Sequence, residues 1–180
     1  MCTHLKCSEV LINQAFHSKG LVHLEIYISQ FKKKIKINLL LTIAFFLMGI
    51  VRLAVLIIPF RFISRSIGER MAESPIEVNY STYMKAAKVG WAVSKISQFT
   101  PWESKCLVQS ITAQILLRLI KIPYTLYLGL AKDESNKLVA HAWLRCGGLI
   151  LTGAREKDRF VAVAKFSKFS KEDDKGKVKY

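Results

Sequence analysis

Pro123 separates two hydrophobic periods, and that separation limits the fold more than any other feature of the chain. Before it, from Cys106, the apolar residues Val108, Ile111, Ile115 and Leu119 recur at helical spacing and form one buried stripe. After it the period becomes two. YTLYLGLA from Tyr124 reads as a strand, KDESNK as an exposed loop and LVAHAWLR as a second strand. Gly147 and Gly148 make a hairpin turn, LILT returns, and RFVAVAKF adds a further strand. A long helix followed by hairpin-joined strands is the pattern of an α+β domain, with the helix packed on an antiparallel sheet.

Upstream, Leu39 to Ile58 holds twenty residues with a single charge, Arg52, and Pro59 breaks the run. Two readings stand side by side. The run is long enough to span a bilayer or lie on one, with cationic flanks; alternatively it docks on the domain that follows or on a partner, with Arg52 paired. The segment EVNYSTYMKAAKVGWAVSKISQF follows Pro75 as a scaffold helix, with Met84, Ala87, Val89, Trp91, Val93 and Ile96 as its imperfect apolar pattern. Thr100, Pro101 and Glu103 give a helix start signal, while Ser104 is an alternative cap that places Cys106 two positions inside the helix. The chain thus divides into an N-terminal extension without a regular pattern (1–36), a hydrophobic and basic helical segment (37–74), an α+β domain (75–166) and a charged tail (167–180).

Net charge is +15, which raises a nucleic-acid reading that its distribution opposes. From Phe31 to Arg70 four Lys and four Arg stand against the single Glu69, so +7 of the total flanks the apolar run. Basic clusters beside a hydrophobic segment face anionic lipid or an acidic partner more often than bases, and no nucleic-acid-binding motif is present. The four cysteines, Cys2, Cys7, Cys106 and Cys146, are too few and too unevenly spaced for a disulfide framework, which suits a reducing compartment and a free thiol. Cys2, His4 and Cys7 can be drawn as a metal cluster, but no second pair with ligand spacing exists, so no metal is expected. No small-residue cleavage site follows the apolar run, against a secretory signal.

The chemistry lies in Cys106 and His141, thirty-five residues apart. A helix N-terminus carries partial positive charge and free N–H groups, which favour thiolate and can donate to a developing oxyanion. A His on a neighbouring strand can take the thiol proton and return it to a leaving amine. The competing reading is a buried, inert cysteine and a packed histidine. A helix-start Cys with a strand His after it is the arrangement of papain-like and transglutaminase-like enzymes. Cys146, beside the glycine turn, reads as an exposed bystander.

The segment from Pro101 to Gly153 resembles the stand-alone leader peptidases of lasso peptide biosynthesis, a transglutaminase-like cysteine protease family. The resemblance rests on Trp102, Cys106, Leu107 and Ser110 in W-x-x-x-C-L-x-x-S, and on Leu116, Leu117, Ile122 and Pro123 in L-L-x-x-x-x-I-P. It continues through Leu128 and Gly129, then His141, Ala142 and Trp143 in H-A-W before the glycine hairpin. RLAVLIIPFRFISRSIG is similar to the N-terminal region of that family, so the likeness covers about residues 40–166.

The resemblance implies removal of the leader from a ribosomal lasso precursor peptide, with Cys106 as nucleophile and His141 as base and acid. It implies no cofactor, a cytoplasmic location with or without membrane association, an ATP-dependent cyclase acting afterwards, and a separate leader-recognition protein. It also implies a Thr at the leader's penultimate position. The wider fold orients its His with an acid on the next strand. Here the residues opposite His141 are about Thr152 to Ala154, so the third member is Asp158 brought back by a loop, or Thr152 or a backbone carbonyl instead. Trp102 and Trp143 serve as apolar supports, and either is also placed to line the groove for the leader's last residues. Acyl transfer to an amine, or a non-catalytic membrane-associated adaptor, are the alternatives.

Overall fold

A computed structural model describes residues 4–168, with side chains from Ser29 on except at positions 33 and 66. Cys2, the side chains of His4 and Cys7 with which it can be drawn as a cluster, and most of the charged tail lie outside what the structure describes. Helix α1 runs His4–Ile57, so helical structure begins well before the apolar run. The chain forms two compact units divided after Leu39.

In the second unit the elements are the rest of α1, α2 (Phe60–Ile67), a two-residue β1 (Glu69–Arg70), α3 (Tyr80–Ser97), α4 (Cys106–Leu119), β2 (Tyr124–Lys132), β3 (Leu138–Cys146), β4 (Leu149–Thr152), a 3-10 turn at Lys157–Arg159 and β5 (Val161–Lys168). The strands form one antiparallel sheet in the order β1-β5-β2-β3-β4. The period-two segments therefore became strands, and Gly147, at φ +57°, makes the β3–β4 turn. This is the expected α+β architecture, a helix opening on Cys106 packed on an antiparallel sheet and preceded by an apolar helix.

One face of Leu39–Ile58 packs on the domain, as the docking reading expects. Ala44, Met48 and Val51 are in the core, with Leu40, Leu47 and Val55 against it. Arg52 pairs with Glu103 at 3.5 Å. Pro59 ends the helix as expected, and α2 turns Phe60, Ile63 and Ile67 inward at spacings of three and four residues.

Two expected helix faces came out differently, both because of close packing. On α3, capped by Asn79 through the Thr82 N–H at 2.8 Å, the buried residues are Ala86, Val89, Gly90, Ala92 and Val93, and Trp91 is exposed. Small residues are needed there, since a Cβ on Gly90 would come within 3.1 Å of the Leu151 Cβ and carbonyl oxygen on β4. Helix α4 has no single stripe. Ser110, Thr112 and Gln114 are buried with Val108, Ile111, Ala113, Leu116 and Leu117, while Leu119 is exposed. A helix enclosed on several sides buries its polar residues too, provided each finds a partner. Thr112 bonds the Val108 carbonyl, and Gln114 donates to the Ile67 carbonyl and the Tyr124 hydroxyl.

Arg145 holds the segment before α3 against the sheet. Only 8% exposed, it donates to the Gly147 carbonyl at 2.7 Å, the Ser74 carbonyl at 2.8 Å and the Tyr127 hydroxyl at 3.1 Å. Glu73 receives Arg145 and Lys165, and the Lys165 bond, with help from Arg145, holds its carboxyl below the usual range. Arg145→Met should strand these carbonyls and lower unfolding free energy by about 2–4 kcal/mol in chemical denaturation.

Cys146 is wholly buried beside the glycine turn, not exposed as the sequence suggested, because the strand alternation turns it to the core face with Ala142 and Leu144. Burial pushes its thiol up to about 11, against only a small opposing effect of Arg145. The folded state therefore holds this proton while the unfolded chain releases it, so the associated stability is present below about pH 9 and is lost as pH rises through about 11. Cys146→Ala should flatten the stability decline between those pH values by about 2–3 kcal/mol, measured by denaturation at a series of alkaline pH values.

Candidate active site

Cys106 is the first residue of α4, preceded by Lys105 as cap without a side-chain bond. The approach to the helix is fixed by short-range polar contacts. Thr100 Oγ1 and Ser104 Oγ share a hydrogen bond of 2.8 Å, Thr100 Oγ1 reaches the Trp102 carbonyl at 3.1 Å, and Glu103 pairs with Lys105 at 2.9 Å. Gln109 Nε2 donates to the Ser104 carbonyl at 2.7 Å, so this side chain braces the turn that delivers Cys106. Ser104 is thus part of the brace rather than the cap. As the first helical residue, Cys106 has an N–H without an intrahelical acceptor.

His141 sits on β3 directly opposite Gly129 of β2, beside a register shift in the β2–β5 pairing between Leu128 and Gly129. Bulges of this kind re-aim side chains near functional sites. The imidazole is framed by Phe160, with ring centroids 4.9 Å apart, and by Trp143 at 6.1 Å. Its Nε2 lies 2.9 Å from the Gly153 carbonyl. A carbonyl only accepts, so Nε2 carries the hydrogen and, in the neutral ring, Nδ1 carries the lone pair.

Gly153 is at φ +71°, in the left-handed region. A Cβ there would meet the Ala142 carbonyl at 2.4 Å and His141 Nε2 at 3.0 Å, so only glycine lets this carbonyl approach the ring. The carbonyl takes the place that the sequence left open between Asp158, Thr152 and the backbone. Asp158 is in the 3-10 turn with its side chain 87% exposed, paired with Lys157, and is not among the cleft residues. Thr152 turns inward to Ser110 instead, at 2.8 Å.

Cys106 and His141 line one cleft of about 730 Å³. One wall is the end of α3 with Ser94, Ser97 and Gln98; the other is the chain from Leu151 through Glu156, with Arg159 and Phe160. Gln109 also lines it, its side chain folding back along the first turn of α4. Cys106 is partly exposed in this cleft and is free of any disulfide.

Neither tryptophan expected to line the groove does so. Trp102 packs on α1, its ring 5.2 Å from that of Phe45 and in contact distance of Gly49. Trp143 is buried beneath Gly129 and stacks on Tyr127, with centroids 5.3 Å apart and planes 6° from parallel. Both are supports, one for the helix that carries the domain's outer layer and one for the His141 strand. No group of three or more metal-ligating side chains occurs among the described residues.

The interatomic arrangement — a thiol at a helix start, an imidazole on the adjacent sheet and a carbonyl fixing its tautomer — suits nucleophilic acyl chemistry. No curated protein and no solved structure matches the chain. A sequence model of the transglutaminase-like superfamily matches residues 51–165, spanning α4, β3 and every strand of the sheet, and the chain belongs to that superfamily.

Proposed function

We propose that this protein is a cysteine peptidase that removes the leader from a ribosomal lasso precursor peptide in the cytoplasm. Transglutaminase-like membership supports protease or acyl-transfer chemistry. The observation that carries the reading is the shared cleft of Cys106 and His141, with His141 held in one tautomer by the Gly153 carbonyl. The finer assignment rests on the resemblance of the C-L, I-P, L-G and H-A-W segments to lasso leader peptidases.

In this reading His141 Nδ1 takes the Cys106 proton as sulfur attacks the carbonyl carbon of the leader's last residue. The developing oxyanion receives the Cys106 backbone N–H. His141 then protonates the leaving amine, which becomes the free N-terminus of the core peptide, and the leader remains as a thioester on Cys106. Water, deprotonated by His141, releases the leader acid and restores the thiol. A separate ATP-dependent cyclase uses the exposed amine. A separate leader-recognition protein supplies affinity, because contacts confined to the scissile bond give little after ordering costs. Held together, peptide and peptidase react almost intramolecularly.

Incubation of a precursor with the full chain, followed by mass spectrometry, tests this assignment. Cys106→Ala and His141→Ala should each lose cleavage by about 10³-fold or more, whereas Asp158→Asn should stay within about twofold. Gly153→Ala should lose about 10²-fold or more, because the added Cβ forces the Ala142 carbonyl and the imidazole to shift. The leader-recognition protein should raise the rate by about 10²–10⁴ on intact precursor and not on leader-truncated precursor. Full cleavage by Cys106→Ala would remove the assignment, and a transamidated product would favour acyl transfer.

The adaptor reading is tested by alkylation. Peptide mapping after brief iodoacetamide treatment should show Cys106 modified about 10²-fold faster than buried Cys146. Equal, slow modification of both would make Cys106 a packing residue.

A further inference from the structure

Helix α1 has two apolar faces, and only one of them is used by the fold. Ala44, Met48 and Val51 are buried, yet Ile43, Phe46, Ile50, Leu53 and Ile57 on the same helix are 43%, 64%, 63%, 60% and 77% exposed. Their spacing alternates between three and four residues, which aligns them as one stripe. Between Lys36 and Arg61 the only charge is Arg52, and it is turned to Glu103. The stripe is therefore entirely apolar, a composition typical of a covered surface rather than a solvated one.

Charge decides what covers it. From residue 26 to residue 68 the chain has no acid and seven cations, the exposed Lys32, Lys34, Lys36, Arg61 and Arg65 among them. A second copy would bring like-charged clusters together in either helix orientation, in a chain whose net charge is already +15. An anionic surface would instead be attracted at both ends of the stripe. On α2, Arg61 and Arg65 lie 4.7 and 5.6 Å from the exposed Phe62 ring, pairing an apolar body with cationic heads as interfacial segments do.

Length alone would also permit a span, since Ser29–Ile57 has 29 residues and its most apolar 18-residue stretch has a mean hydropathy of 2.6. The packing opposes it. Crossing the bilayer would pull Ala44, Met48 and Val51 out of the core and strip Trp102 of its contact at Gly49. A helix with one face in a protein core and the other bare can only lie along the boundary.

We propose that the Ile43–Ile57 stripe of α1, with the cations of α2, docks this protein on an anionic lipid bilayer as an interfacial helix that does not span it. The peptidase is thereby held at the cytoplasmic membrane surface with its core intact.

The test is flotation of the full chain with vesicles of phosphatidylcholine alone or with about one quarter phosphatidylglycerol. Binding should be about tenfold or more stronger to the anionic vesicles and should fall as salt rises. Ile43→Ser/Phe46→Ser/Ile50→Ser should reduce it about tenfold or more, with thermal unfolding unchanged because these side chains face away from the core. Phe46→Trp keeps the stripe and folds regardless, and should add fluorescence that brominated lipid quenches. An alkaline carbonate wash should release the protein. Retention after that wash would mean a span and overturn the proposal. A soluble dimer without vesicle binding, a soluble acidic partner that takes the stripe while vesicles do not, or an unquenched Phe46→Trp would overturn it equally. Because peptide cleavage is not the readout, failure here leaves the peptidase reading untouched.

Discussion

Ser110 is the residue on which the site's geometry depends. Its hydroxyl, fully buried, shares a hydrogen bond of 2.8 Å with Thr152 Oγ1 and approaches the Ala142 carbonyl at 3.4 Å. Ser110 stands one helical turn after Cys106, Ala142 directly follows His141, and Thr152 directly precedes Gly153. One buried hydroxyl thus ties the thiol's helix to the imidazole's strand and to the strand end whose carbonyl fixes the imidazole. In a low-dielectric core such a bond is expensive to leave unmade, so the three elements keep their register together. An apolar replacement would fill the volume and lose the registration.

Around that clasp the sheet makes room for His141 by omission of side chains. Gly129 lies opposite it, where a Cβ would sit 2.7 Å from the Trp143 ring and 2.9 Å from the Phe160 Cβ. Gly153 lies beyond its ring nitrogen in a conformation that other residues adopt with strain. The two aromatic neighbours then restrict the imidazole from both sides, and the carbonyl sets its tautomer. Where the wider fold uses an acid, this chain uses a backbone dipole. A carbonyl orients the ring but brings no full charge to it.

The fold was legible because it is written in periods. The alternation after Pro123, the glycine turn and the helix opening on Cys106 are local patterns, and each appears where the sequence puts it. Cys106 opens α4 and His141 lies within β3, both elements that the periods define, and the two line one cleft. What escaped is tertiary. Nothing in the spacing says that Gln109 folds back on Ser104 or that Trp102 belongs to α1 rather than to the groove, whereas the alternation of Ala142, Leu144 and Cys146 does carry the inward facing of Cys146. The Gly153 carbonyl carries no side chain to notice, although a glycine just after a returning strand is a signal that backbone comes close to something. Asp158 drew notice for its charge, while solvent exposure and Lys157 leave that charge outside the cleft.

The walls of the cleft bear on which acceptor would meet a Cys106 thioester. An enzyme that transfers acyl groups to amines must keep water away from the thioester long enough for the amine to arrive, and apolar walls do that. Here one wall is Ser94, Ser97 and Gln98, Gln109 lies on the helix side, and Arg155, Glu156 and Arg159 stand on the other. Hydroxyls, amides and charges hold water rather than exclude it. Among side chains near the thiol only Leu151, Val139 and Phe160 offer sizeable apolar surface, and Phe160 is occupied by the His141 ring. An acyl group on Cys106 in a cleft so lined would meet water as the acceptor at the highest local concentration, and the proposed peptidase reading therefore asks for hydrolysis rather than transfer.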